Sequence, residues 1–329
     1  MSSVFGALRR RLLTPPVSET TMEVRGFHVK NAEAKKRLEY IGEVFLRGYA
    51  YAVEAGSPAE AQERLETVPR DVRGFAYEGA GMGAVVHDAL PGHGGRLQGL
   101  LAGQGRHHDY MIYVGIGWAM ARLPKPLWPD ISATDPLLRW LALDGYGFHQ
   151  AYFRTDAYVR NPHLQHPFRW RGGHNHYTAN AIDQGIGRAL WFVGGTDPDV
   201  VSGLIRAYPE HRHGDLYAGA GLACAYAGGA GEDELAHFAE GAGEHRWALA
   251  QGAAFATEAR IKAGTVIDHT HLAARVVCGT TAEKASQVCR DTRPQAPDVH
   301  GAFPAYEKWR RDIAAQLASS SLVSKGADQ

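Results

Sequence analysis

Small and apolar residues come in blocks along this chain, and the blocks open alike, with a Gly-x-Gly or Gly-x-Ala step followed by further apolar positions. "GYAYAVEAG" begins at Gly48, "GAGMGAVVHDAL" at Gly79, "GIGWAMARL" at Gly115, "GYGFHQAYF" at Gly145, "GIGRALWFVGG" at Gly185, "GAGLACAYAGG" at Gly219 and "GAAFATEARIKAG" at Gly252. The first glycines are 31, 36, 30, 40, 34 and 33 residues apart, a period that suits a pair of helices with two turns. Amphipathic segments with helix-start signals lie between the blocks. Ser57-Pro58, Asp135-Pro136 and Asp197-Pro198 each read as an N-cap followed by proline at the first helical position, and Thr281 opens another segment. Strand-like alternation is scarce. The pattern predicts an all-α protein of about seven repeated helical hairpins, closed as an α/α toroid or left open as an α-solenoid.

Glycine costs a helix interior about 1 kcal/mol against alanine, so its recurrence in every block needs a cause. Close approach of neighbouring inner helices supplies one, because glycine and alanine remove the side chain that keeps backbones apart. A dinucleotide-binding loop is the other reading of Gly-x-Gly. It needs a preceding strand, a third glycine and a βαβ context, and these are missing.

The repeats also allow an internal comparison. Four positions after the first glycine the copies carry Ala52, Gly83, Ala119, His149, Ala189, Ala223 and Ala256, so His149 breaks a column of tiny residues. Three positions after it Arg188 breaks an apolar column, and one position before it stand Glu78, Asp144, Gln184 and Gln251, with Asp183 beside Gln184. If inner helices are parallel neighbours, these side chains gather towards one end. The expected chemistry is acid–base: His149 moves a proton, Asp144 or Asp183 orients it, and Arg188 stabilises developing negative charge. Glu78, Gln184 and Gln251 would contact the ligand, and Trp118, Trp140, Tyr152, Phe153, Trp191 and Phe192 would line an apolar channel for a long planar molecule. The alternatives are a buried polar network that only fixes helix register, and aromatic residues that only pack the core.

Composition narrows the remaining choices. The 329 residues are 45% hydrophobic, with 35 basic and 35 acidic side chains, which gives no reason to expect a nucleic-acid partner. Cys224, Cys278 and Cys289 form neither a CxxC pair nor an even framework, which suits a reducing, cytoplasmic setting. Residues 1–25 read as a basic and apolar N-terminal segment that either docks on the body or rests on a membrane surface. Residues 26–315 read as one helical-repeat domain and 316–329 as a disordered tail. The chain has no run of about 18 uncharged apolar residues. No cofactor is indicated, and no zinc pattern occurs. The loop histidines His107, His108, His163, His166, His174, His176, His211, His213, His269 and His271, with Asp215 or Asp268, are weak metal candidates.

Several phrases carry a family likeness. "FGALRRRLLTP", "RGFHVKN", "GFAYEGAGMG", "YMIYVGIGWAMARLP", "LLRWLALDGYGFHQAYFR", "DQGIGRALWFVGG", "LAQGAAFA" and "PAYEKWRR" together resemble bacterial proteins of unknown function encoded in enediyne polyketide biosynthetic clusters. The resemblance runs from about Phe5 to Arg311. It implies a role alongside the iterative polyketide synthase in turning a linear polyene into the enediyne core, as an enzyme or as a non-catalytic scaffold. The implied partners are a polyene or enediyne-precursor small molecule and other proteins of the cassette, including an integral-membrane protein. A looser likeness is to the toroid of lanthionine cyclases, whose adjacent Cys-His zinc ligands have no counterpart here.

Overall fold

The structure is a computed structural model that describes residues 16–161, 167–171, 173–295 and 301–327, with side chains to 320. Among the described residues there is no strand. In chain order the α-helices are α1 Met22–Arg25, α2 Ala32–Glu54, α3 Pro58–Glu66, α4 Arg73–Asp88, α5 Arg96–Ala102, α6 Asp109–Arg122, α7 Leu141–Phe153, α8 Thr178–Val193, α9 Pro198–Arg206, α10 Glu210–Ala227, α11 Glu232–Gly241, α12 Arg246–Lys262, α13 Asp268–Val277, α14 Ala282–Asp291 and α15 Ala305–Ala327. The seven glycine blocks are the inner helices α2, α4, α6, α7, α8, α10 and α12, each packed on the next. The shorter helices lie outside them. Ser57, Asp197 and Thr281 cap α3, α9 and α14 with their side chains, as the sequence predicts. Asp135 differs. Its Oδ1 accepts from the amides of Leu137 and Leu138, capping a 3₁₀ turn, Leu138–Trp140, that runs straight into inner helix α7, so this segment is an entrance to the inner layer.

Inner neighbours run in the same direction. Arg37 near the start of α2 pairs with Asp71 just before α4, while Arg96 joins the carbonyls of Ala52 and Ala55 at the end of α2 to the Asp88 carboxylate at the end of α4. The glycines make this contact possible by one repeated rule. A methyl built on Gly115, Gly145, Gly185, Gly219 or Gly252 would sit 1.7–2.0 Å from the carbonyl oxygen one position before the first glycine of the preceding helix. A methyl on the second glycine, at Gly117, Gly147, Gly187 or Gly221, would sit 1.9–2.1 Å from a carbonyl three positions before the first glycine of the following helix. Gly48 meets Ala76 O in the second manner, so it matches the second glycine of the other copies. The first copy therefore opens at Leu46, not at Gly48, and its column residues are Phe45, Tyr49 and Ala50.

The series closes on itself. Arg37 of α2 donates to the carbonyl of Ala227 at the end of α10, Phe75 of α4 packs on Tyr226 with ring centres 5.1 Å apart, and Arg260 of α12 donates to the carbonyl of Asp71. This is the toroid-like alternative rather than an open solenoid. At the edges, Thr20 and Met22 are buried in the body, so residues read as a separate N-terminal segment belong to it. The segment read as a disordered tail is helical as far as Ala327, and Leu317 is in the core. All three cysteines are free and buried. Residues 1–15, including the basic stretch, lie outside the described residues. No helix among those described is long and apolar enough to cross a membrane.

Candidate functional site

The inner helices surround an apolar chamber with about 50 Å³ of space open to the centres of water-sized molecules, room for a few waters or a slender chain. Its wall follows the repeat. Met82, Trp118, Phe148, Arg188 and Leu222, all three positions after the first glycine, form one ring. One helical turn on, seven positions after the glycine, Arg122, Tyr152, Phe192 and Tyr226 form a second. Helix α2 crosses the side with Leu38, Ile41, Phe45 and Leu46.

The deep end is polar. Glu78, one position before its glycine, lines the chamber with its carboxylate 4.0 Å from Arg188 Nη2, and Arg188 Nη1 donates to Asp144 Oδ1 at 2.5 Å. All three are buried. Two carboxylates against one guanidinium leave one negative charge too many for an apolar interior. Burial pushes the Glu78 carboxyl up to about 7, with Arg188 opposing and Asp144 reinforcing the rise. Asp144 is also raised by burial, against the pull of Arg188. Two donors are left over at this end: Arg188 Nε and Trp118 Nε1 have no hydrogen-bond partner among the described residues. The Trp118 indole lies near enough to Glu78 to favour its ionised form.

The other end is a mouth. Arg122 is exposed and stacks at 5.2 Å over Phe153, whose ring also receives Arg25 at 5.1 Å. Arg25 is neutralised by Glu19 at 2.7 Å. Thr20 roofs the chamber beside Tyr152, whose hydroxyl donates to its carbonyl at 3.3 Å.

His149 stands behind this mouth and not beside a carboxylate. Its Nε2 accepts from Arg122 Nε at 3.1 Å, while its buried Nδ1 has no partner among the described residues. Burial, with help from Arg122 and Arg154, drives its pKa down to about 3, so it is neutral at physiological pH. The expected His149–Asp144 pair does not form, because residues five apart on a helix point about 140° apart. The remaining expected residues separate as well. Asp183 is held by both Nε and Nη2 of Arg212. Gln184 bonds Tyr177, Asp215 and Tyr306, and Gln251 accepts from Arg310, which also binds Asp215, Glu307 and Tyr177. This network ties α15 to the ring, so Gln184 and Gln251 serve register. Trp191 is fully buried, donates to Gly228 O and packs on Phe238 away from the chamber. Of the expected residues, the structure brings Glu78, Asp144, Arg188, Trp118, Tyr152, Phe153 and Phe192 together, while Trp140 packs against Trp170 and Tyr177.

Sequence reasoning missed Arg122 and Tyr226. The signal lay one turn further along the same columns, where Arg122 is the one cation. Among the described residues no group of three or more His, Cys, Asp and Glu side chains is arranged to hold a metal ion. His213, His269 and His176 bond backbone carbonyls, and His163 and His166 lie outside the described residues.

The protein is an all-α helical repeat whose parallel, glycine-packed inner helices surround a chamber with a buried acid. The chain belongs to the family described as protein of unknown function, DUF1702, which matches residues 4–317. No curated protein and no solved structure matches it.

Proposed function

We propose that the protein is an accessory enzyme of enediyne-type polyketide biosynthesis that takes up a linear polyene made by the iterative synthase and moves a proton on it during conversion to the enediyne core. The observation that carries the reading is an aromatic chamber with a buried carboxyl, Glu78, that titrates near neutrality. A group with a pKa close to the working pH is suited to general acid–base catalysis, and strongly perturbed carboxyls cluster at functional sites. Glu78 takes the role expected of His149, since a neutral imidazole committed to Arg122 is a poor proton carrier. Arg188 and Asp144 set the charge around it. The same proposal gives the protein its setting: cytoplasmic or membrane-associated, with other cassette proteins, including a membrane protein, as partners.

The test is a gene deletion complemented with wild type, Glu78→Gln or Arg311→Met, read by profiling polyene-derived metabolites at matched protein levels. Glu78→Gln fails to restore the enediyne product, while Arg311→Met, a change at an exposed position, restores it. Restoration by Glu78→Gln at the wild-type level would overturn the assignment.

A further inference from the structure

The two ends of the chamber differ in charge. At the deep end Glu78 and Asp144 face one guanidinium, Arg188. At the mouth the Arg25 charge is met by Glu19, and Arg122 has no carboxylate within ion-pair distance among the described residues. The chamber therefore runs from an acidic floor to a cationic rim. Eight positions separate the Glu78 column from the Arg122 column, about 12 Å of helix rise.

Arg122 is also prepared in a particular way. His149 accepts its Nε–H and the Phe153 ring supports its guanidinium plane, which fixes the side chain and leaves Nη1 and Nη2 without a hydrogen bond to any described residue. That pair of parallel donors matches the two oxygens of a carboxylate. The rule-breaking His149 acquires a purpose here. A tiny residue, as in the other six copies, would leave the guanidinium without its inner anchor, and the low pKa of the imidazole keeps it from repelling the cation it holds.

We infer that the chamber takes a linear apolar chain ending in a carboxylate, threaded with its apolar end towards Glu78 and its carboxylate gripped at the rim by Arg122, with His149 as the positioning residue. This rests on the reading of the chamber as the polyene site and names its ligand class and orientation. The acidic floor rejects the opposite orientation, because a carboxylate there would join two others around a single guanidinium.

Octa-2,4,6-trienoic acid, a conjugated triene carboxylic acid short enough to lie between the Glu78 and Arg122 columns, and its methyl ester are the probes, with binding read by calorimetry. Each is titrated against the wild-type chain, Arg122→Gln, His149→Ala and Leu222→Trp, the last narrowing the chamber. The acid binds the wild type about tenfold more tightly than the ester, the gain expected of a charge-assisted carboxylate bond. Arg122→Gln abolishes that preference without weakening the ester, His149→Ala reduces it, and Leu222→Trp excludes both probes. Equal binding of acid and ester by the wild type, or a preference that survives Arg122→Gln, overturns the inference while leaving the chamber reading intact. If neither probe binds the wild type, or Leu222→Trp binds both unchanged, the chamber reading fails and the inference with it.

Discussion

Replacing Glu78 by glutamine should make the protein more stable at neutral and alkaline pH, although it removes the residue assigned the chemistry. The carboxyl is buried, and its pKa is raised from 4.5 to about 7, chiefly by burial. Below pH 4.5 the group is protonated in folded and unfolded chains alike and contributes no difference. Between 4.5 and 7 the folded chain keeps a proton that the unfolded chain has released, so stability falls as pH rises. Above 7 the loss is complete. That interval, at about 1.4 kcal/mol for each pH unit, corresponds to about 3 kcal/mol. Glutamine has nearly the same shape and cannot ionise, so it escapes the loss. Urea unfolding of wild type and Glu78→Gln between pH 4.5 and 8.5 should give curves that converge at the acid end and diverge by about 3 kcal/mol at the alkaline end, the variant being the more stable. Parallel curves, or a variant less stable at pH 8, would refute the charge accounting at the chamber floor.

Three further outcomes follow from the packing and the polar networks. Gly187→Ala places a methyl 2.0 Å from Leu216 O and should cost about 3 kcal/mol or more in unfolding experiments, whereas Gly203→Ala, exposed on α9 with nothing nearer than 3.9 Å, should be neutral or gain up to about 1 kcal/mol. Arg310→Met removes the buried guanidinium shared by Asp215, Glu307 and Gln251 and should cost about 3–5 kcal/mol, against less than about 1 kcal/mol for Arg311→Met at the exposed end of the Glu307 carboxylate. The His149 imidazole should show no titration in NMR spectra between about pH 5 and 8, since its pKa lies at about 3, and a midpoint inside that range would contradict its burial against Arg122.

Much of the fold is written in the glycines because a close helix contact admits little else at those positions. The regular spacing announced the inner helices, and the helix-start signals located several outer ones. The first copy was misaligned because Leu46 stands where the other copies carry their first glycine, and only the carbonyl each glycine meets gives the true register. The column comparison led to Arg188 and Glu78, since a charged residue in an apolar column must be compensated in space. It failed for His149 and Asp144, which share a helix without sharing a face. It also failed for Gln184 and Gln251, whose partners Tyr306 and Arg310 lie on α15 beyond the repeats, where no periodicity points to them.

On the proposed reading the chamber, and no other part of the surface, holds the linear ligand. The most direct test is a crystal structure of the protein grown with octa-2,4,6-trienoic acid. An extended chain is expected through the Trp118–Phe148–Arg188 and Tyr152–Phe192–Tyr226 rings, with its carboxylate at Arg122. A chain bound elsewhere, with the chamber holding water alone, would contradict it.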